Sequence, residues 1–204
     1  MPESKYNPAY DNKIPQKYSK KTIENKLENK KAFCEEVGLT FDKKIPLICV
    51  TYPLTDNNNL SMLKDVMNGV IEQPVEIVIA GIGTEKYQKF FTELAEENGN
   101  KVAITGSSED EKRKIYAASD MILIPTASKE CLEEAENAMH YGVVPITPQT
   151  DFVEDYNPNL ERGNAFVYIK DSPWNLFATF VRAMESFRFP YDYKNIQVGA
   201  MGTE

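Results

Sequence analysis

Asp110–Pro125, DEKRKIYAASDMILIP, is the stretch on which the fold turns. Its first part, Asp110 to Ala118, reads as a helix that is charged at its start and apolar towards its end. It passes through Ser119-Asp120 into Met121-Ile122-Leu123-Ile124, an apolar run without the alternation of a strand that has one wet face. Short strands apolar on both faces belong in parallel sheets covered by helices.

The same alternation extends both ways along the chain. Further apolar runs predict strands at Leu47–Thr51, Val75–Ala80, Lys101–Thr105, Val143–Ile146 and Ala165–Tyr168. Amphipathic stretches between them predict helices at Leu60–Glu72, Glu85–Asn98, Cys131–Tyr141 and Trp174–Ser186. Strand and helix in turn, with right-handed crossovers, specify an open, doubly wound α/β sheet of the Rossmann-like kind. Upstream, Met1–Ser19 carries prolines at 2, 8 and 15 and reads as an extended arm, with residues 20–204 forming one domain. Lys20–Val37 reads as a helix with alternating charges on one face, capped by Thr22 and ended by Gly38; Leu39–Lys44 links it to the sheet.

Composition narrows the function classes. The chain has 204 residues and is 42% hydrophobic, enough for one sizeable core, and no apolar run approaches the length of a membrane span. The start is polar and proline-bearing, unlike a secretory signal, so an intracellular, cytoplasmic setting is expected. A net charge of -8 argues against a nucleic-acid binder. Cys34, Cys49 and Cys131 lie far apart and suggest neither a disulfide framework nor a zinc site. The lone histidine, His140, reads as a packed residue on a core helix rather than part of a catalytic triad. Glu130, Glu133, Glu134 and Glu136 read as a solvated helix start, not as metal ligands, and no cofactor is implied. The aromatic residues from Trp174 to Tyr193 read as packing, with sugar stacking as the alternative; any face left bare would favour self-association.

A set of ordered matches adds a resemblance. Tyr6-Asn7-Pro8, Asp11, Ile14-Pro15, Tyr18-Ser19 and Glu28-Asn29-Lys30-Lys31 open the chain; Ile115–Pro125 and Ala138–Ile146 follow at family-like spacing. Together they resemble the C-terminal, nucleotide-sugar-binding domain of the starch and glycogen synthases, glycosyltransferases of the GT-B fold. The resemblance implies one half of a two-domain enzyme, with the sugar nucleotide at the carboxyl ends of the strands and the family's closing helix beyond Gly199–Gly202. It carries over low-specificity binding positions: Gly81 and Gly83, Tyr116, Ser128, Lys129, Glu130 and Cys131, and Thr150. The Gly81-Ile82-Gly83 loop by itself reads first as an ordinary tight turn, which two glycines make without any ligand.

The family's chemistry is where the sequence departs. After the first strand the resemblance calls for an Arg and a Lys to neutralise the departing diphosphate. Here Tyr52 or Pro53 stands for the arginine and Asn58 for the lysine. After the fourth strand, Lys129 stands for the family's glutamate, or Glu130 under a one-residue shift, and Leu132 for its glycine. Of a Thr-Gly-Gly loop after the fifth strand only Thr150 remains, followed by Asp151-Phe152. No catalytic residue is assigned. Two functions follow as expectations: a non-catalytic module that binds a glucan or a partner synthase, or a donor-binding half, for ADP-glucose or UDP-glucose, that needs a separate N-terminal domain.

Overall fold

A computed structural model describes residues 5–203. Met1–Ser4 of the expected arm, with Pro2, and Glu204 lie outside the described residues. Six parallel strands form one sheet: β1 (Leu47–Val50), β2 (Glu76–Ile79), β3 (Val102–Ile104), β4 (Met121–Leu123), β5 (Val144–Pro148) and β6 (Phe166–Tyr168), in the order β3-β2-β1-β4-β5-β6. The flanking helices are α1 (Lys26–Val37), α2 (Leu60–Glu72), α3 (Glu85–Glu97), α4 (Glu109–Ala118), α5 (Lys129–Met139), α6 (Pro173–Phe187) and α7 (Pro190–Ala200). α1 packs on α4 and α2 on α6. The α/β reading from the apolar runs holds strand for strand, and β4 is wholly buried as its unbroken run required. Only the edge strand β3 turns a residue, Ile104, to solvent.

The winding reverses once. From β1 the chain steps outward to β2 and β3, then returns through α4 to β4 on the other side of β1. β1 and β4 pair in register, Ile48 with Met121 and Cys49 with Ile122, and the crevice beyond their carboxyl ends is the topological switch point of such sheets.

At the opposite, amino-terminal edge the two central strands are tied by Asp120. Its carboxylate accepts from Lys30 Nζ at 2.7 Å and from the Leu47 amide at 2.9 Å; its amide donates to Leu47 O, and its carbonyl accepts from Tyr193 Oη at 2.8 Å. Lys30 also donates to Ile45 O. One residue thus fastens α1, β1 and α7 to the start of β4.

The helical reading of Lys20–Val37 needs correcting. Lys20–Asn25 is a 3-10 turn and the α-helix begins at Lys26. Ser19, not Thr22, is the cap: its amide donates to Thr22 Oγ1, and Thr22 itself has non-helical angles. Three polar residues of the helix, Lys26, Asn29 and Lys30, are buried on the stripe they share with Phe33. The described part of the arm is fastened to the fold: Asn29 holds Gln16 through a reciprocal pair of hydrogen bonds, and Tyr18 Oη donates to Tyr141 O at 2.7 Å.

Elsewhere α5 is shifted from the expected 131–141 to begin at Lys129 with Ser128 as its cap. His140 therefore sits half-buried just past its end, where burial lowers its pKa. α7 was not expected from sequence; Pro190 starts it and Tyr193, Ile196 and Ala200 form its buried stripe. Of the aromatic tail, Phe180 and Tyr193 pack into the core, whereas Trp174, Phe189 and Tyr191 are exposed.

Lys30→Met should destabilise the chain by about 3–5 kcal/mol, since it leaves the Asp120 carboxylate buried without its cation. Urea unfolding of the variant checks this, and adding Asp120→Asn should recover part of the loss.

Candidate functional site

The switch-point crevice is bordered by the loops after β1 (51–59), β2 (80–84) and β4 (124–128). The first of these turns back into the molecule. Tyr52 is fully buried and its hydroxyl donates to Leu123 O at 2.8 Å, which ties the loop to the end of β4. Pro53 is exposed, and Leu54 packs inward against the β2 loop. Of the two positions read from sequence as the replacement for a family arginine, only Pro53 carries a side chain at the surface. Asn58 is buried, donating from Nδ2 to Pro53 O at 2.8 Å and accepting on Oδ1 from Ser128 Oγ at 2.6 Å. Asn59 takes a left-handed conformation (φ 51°) to begin α2.

Ser128 therefore has two tasks. As the cap of α5 its hydroxyl accepts from the Cys131 amide at 3.2 Å, and as a donor it reaches Asn58 across the crevice. A side-chain hydrogen bond between neutral groups thus joins the two central loops where an open switch-point sheet presents its ligand groups. Lys129 and Glu130 are exposed on the first turn of α5. Cys131 is buried, and burial pushes its thiol up to about 12, which makes it a poor nucleophile.

Gly81 and Gly83 have a packing reason of their own. Leu54 forms a bridge to Gly83, its amide donates to Ile82 O, and its carbonyl accepts from the Thr84 amide. A Cβ on Gly81 would lie 2.6 Å from Tyr52 O, and one on Gly83 would collide with the Leu54 backbone. The glycines let the β1 loop lie directly against the β2 loop.

The remaining positions are dispersed. Tyr116 is buried on α4, its hydroxyl donating to Glu134, which also pairs with Lys112; burial raises its pKa well above the ordinary phenol value. Glu134 is thus turned inward, while Glu130, Glu133 and Glu136 face solvent. Among the described residues no group of three or more His, Cys, Asp or Glu is placed to hold a metal ion. Thr150 follows β5 and buries its Oγ1 without a hydrogen-bond partner among the described residues. The structure joins Ser128 to Cys131 directly and brings Gly81 and Gly83 against the β1 loop; it gives Tyr116 no exposed face. The sequence reading missed the Asn58–Ser128 bond, whose only signal was two polar residues at the ends of the central loops.

Charge completes the description. No Lys or Arg occurs in residues 51–59, 80–84, 105–108, 124–128 or 149–153, the segments following β1 to β5. Lys86, on α3, reaches Asp56 at 3.6 Å, and Tyr87 Oη donates to the same carboxylate, which holds the Asp56 pKa below its usual range. The arrangement offers hydrogen-bonding groups but no free cation on these loops to meet a diphosphate.

Comparison with known proteins places the chain. A glycogen synthase from Fervidobacterium nodosum is 32% identical over 201 residues, covering 96% of this chain and 41% of the relative. The chain belongs to the starch and glycogen synthase family. It spans about two fifths of the length of the curated relatives it matches, from 39% to 43% in the first few. The catalytic domain of starch synthase IV from Arabidopsis thaliana, solved with ADP and acarbose, superimposes with a TM-score of 0.87 at 21% identity, over 98% of this chain and 43% of that one. The C-terminal domain of a group 1 glycosyltransferase, LpcC from Francisella tularensis, gives 0.64 at 12% identity, covering 97% of this chain and 92% of that one. At those identities the likeness establishes the fold: the α/β sheet is one GT-B half. No protein-family model matches the chain. Among the described residues no helix of this synthase-family chain is long and apolar enough to cross a membrane.

Gly83→Ala should cost about 1–3 kcal/mol, because the new methyl must displace the Leu54 backbone. Thermal unfolding measures the loss, and a Leu54→Ala background should leave it in place, since the collision is with main-chain atoms.

Proposed function

We propose that this chain is a starch- or glycogen-synthase-like domain that does not transfer glucose by itself and acts as a binding or scaffolding module in glucan metabolism. The observation that carries this reading is the absence of Lys and Arg from the loops around the crevice, which Asn58 and Ser128 join across its centre. Glycosyl transfer from a nucleotide sugar releases a diphosphate, and its developing charge needs preorganised positive groups. An asparagine engaged with two partners and a proline cannot supply them. The partner is an α-glucan or a complete synthase, the setting cytoplasmic, and the chain divides into an N-terminal arm, residues 1–19, and one domain, residues 20–204.

A second reading keeps the chain as the donor-binding half of a glucosyltransferase whose other half is a separate domain. It is favoured by Ile82, Ile169 and Trp174, exposed apolar residues that all lie beside the carboxyl ends of strands. Such residues are suited to cover by a facing domain, or to self-association. The starch synthase IV that shares this fold was solved with ADP, so ADP is the first nucleotide to try.

Isothermal titration with ADP-glucose, UDP-glucose, ADP and UDP, and separately with maltoheptaose, decides between the two. The non-catalytic reading expects nucleotide affinities weaker than about 1 mM and heat only from the glucan or a partner synthase. A micromolar nucleotide Kd would overturn it in favour of the donor-binding half. Pro53→Arg/Asn58→Lys should gain nucleotide affinity; Pro53 rather than Tyr52 is the position to change because Tyr52 is buried.

A further inference from the structure

On the amino-terminal edge of the sheet, away from the switch point, α1, the segment before β1, the end of α4 and the α6–α7 corner border an open cavity of about 620 Å³. Its lining is unlike the rest of this acidic chain. Lys26 and Lys30 are buried in its wall, and Lys43 and Lys44 are exposed at the segment leading into β1. Arg188 and Lys194 add two further cations, against the carboxylates of Glu24 and Asp120. Lys194 reaches Glu24 at 3.4 Å and Arg188 reaches Glu185 at 3.2 Å; neither Lys43 nor Lys44 forms an ion pair among the described residues.

The buried pair of lysines is unevenly matched. Lys30 has the Asp120 carboxylate, but Lys26 has no carboxylate of its own and donates to Tyr116 O at 2.5 Å and Ala117 O at 3.1 Å, the last carbonyls of α4. Tyr18 Oη, at 3.5 Å, completes three neutral acceptors around Lys26, so no carboxylate compensates this amine at hydrogen-bond distance. Beside the two lysines Phe187 presents its ring, with Lys30 Nζ 5.7 Å from the centroid, and Leu27 and Pro190 extend the apolar wall. We propose that this cavity binds a small organic phosphate, its anionic group held by Lys43 and Lys44 in the field of the buried Lys26 and Lys30, and its ring or apolar body laid against Phe187.

Burial pulls Lys26 down to about 7, against the opposing pull of Asp120. A phosphate brought beside it stabilises the ammonium form, so binding at pH 8 takes up a proton. The groups facing Lys26 are Tyr18, Cys49, Lys30 and Asp120. Burial keeps Tyr18 and Cys49 protonated well above pH 8, the thiol at about 12, so Lys26 is the group that takes up the proton.

Phenyl phosphate is the probe, titrated into the intact chain at pH 8 in two buffers of different ionisation enthalpy, with inorganic phosphate and phenol as its separated halves. The expected result is saturable binding tighter than either half, with proton uptake, weakened about tenfold in Lys43→Gln/Lys44→Gln. Lys26→Met should abolish the uptake. No binding, undiminished binding to the double variant, or binding without proton uptake would each overturn the proposal. The site lies at the opposite edge from the crevice, so the outcome is independent of whether a nucleotide sugar binds there.

Discussion

A buried ammonium and carboxylate, Lys30 and Asp120 at 2.7 Å, hold the amino-terminal edge of the sheet together. Asp120 comes immediately before β4, the strand to which the chain returns after reversing its winding, and the same carboxylate takes the amide that begins β1. The pairing of β1 with β4 is nonlocal, and its register is fixed at this point by hydrogen bonds directed at one side chain. α1 reaches the junction through Lys30 and α7 through Tyr193, so elements from both halves of the sequence depend on one carboxylate. Desolvating such a pair is expensive, and its return is specificity of arrangement more than net stability.

The two edges of the sheet therefore differ in kind. The amino-terminal edge concentrates cations around a cavity, whereas the loops at the carboxyl edge, where sheets of this winding receive their ligands, carry no Lys or Arg and are joined by Asn58 and Ser128. On the reading proposed above, the chain shares the fold of glycosyltransferases without the charge that their leaving group requires. Its glycines serve the contact between the β1 and β2 loops, and its central hydroxyl and amide serve each other.

Much of this was legible from residues alone. Parallel strands buried on both faces cannot be polar, so runs such as Met121–Leu123 and Leu47–Val50 announced themselves. What escaped were the places where polar residues do structural work. The helix around Lys26 and Lys30 read only as alternating in charge on one face, yet the two lysines repeat at helical spacing with Ile23 and Phe33, a stripe that places them on the buried side. α7 was hidden by the exposed aromatics around its proline start and by Gly199 in its last turn, although Tyr193, Ile196 and Ala200 carry the spacing. At the site, alignment alone left Tyr52 and Pro53 open; the structure buries Tyr52 and leaves Pro53 as the one with a side chain at the surface.

The bond between Asn58 and Ser128 has a consequence for how this chain can change. Replacing Asn58 alone strands the Ser128 hydroxyl and the Pro53 carbonyl, and replacing Ser128 alone leaves α5 without its cap and Asn58 without its donor. Each single step away from the present pair costs on the order of 1 kcal/mol before any new contact forms. The positions are epistatic: a cation at 58 is tolerated best after 128 has already been released from its partner. A cation placed at 58 carries this cost wherever Ser128 is kept, whereas position 53, exposed and joined to the pair only through its carbonyl, can change by itself.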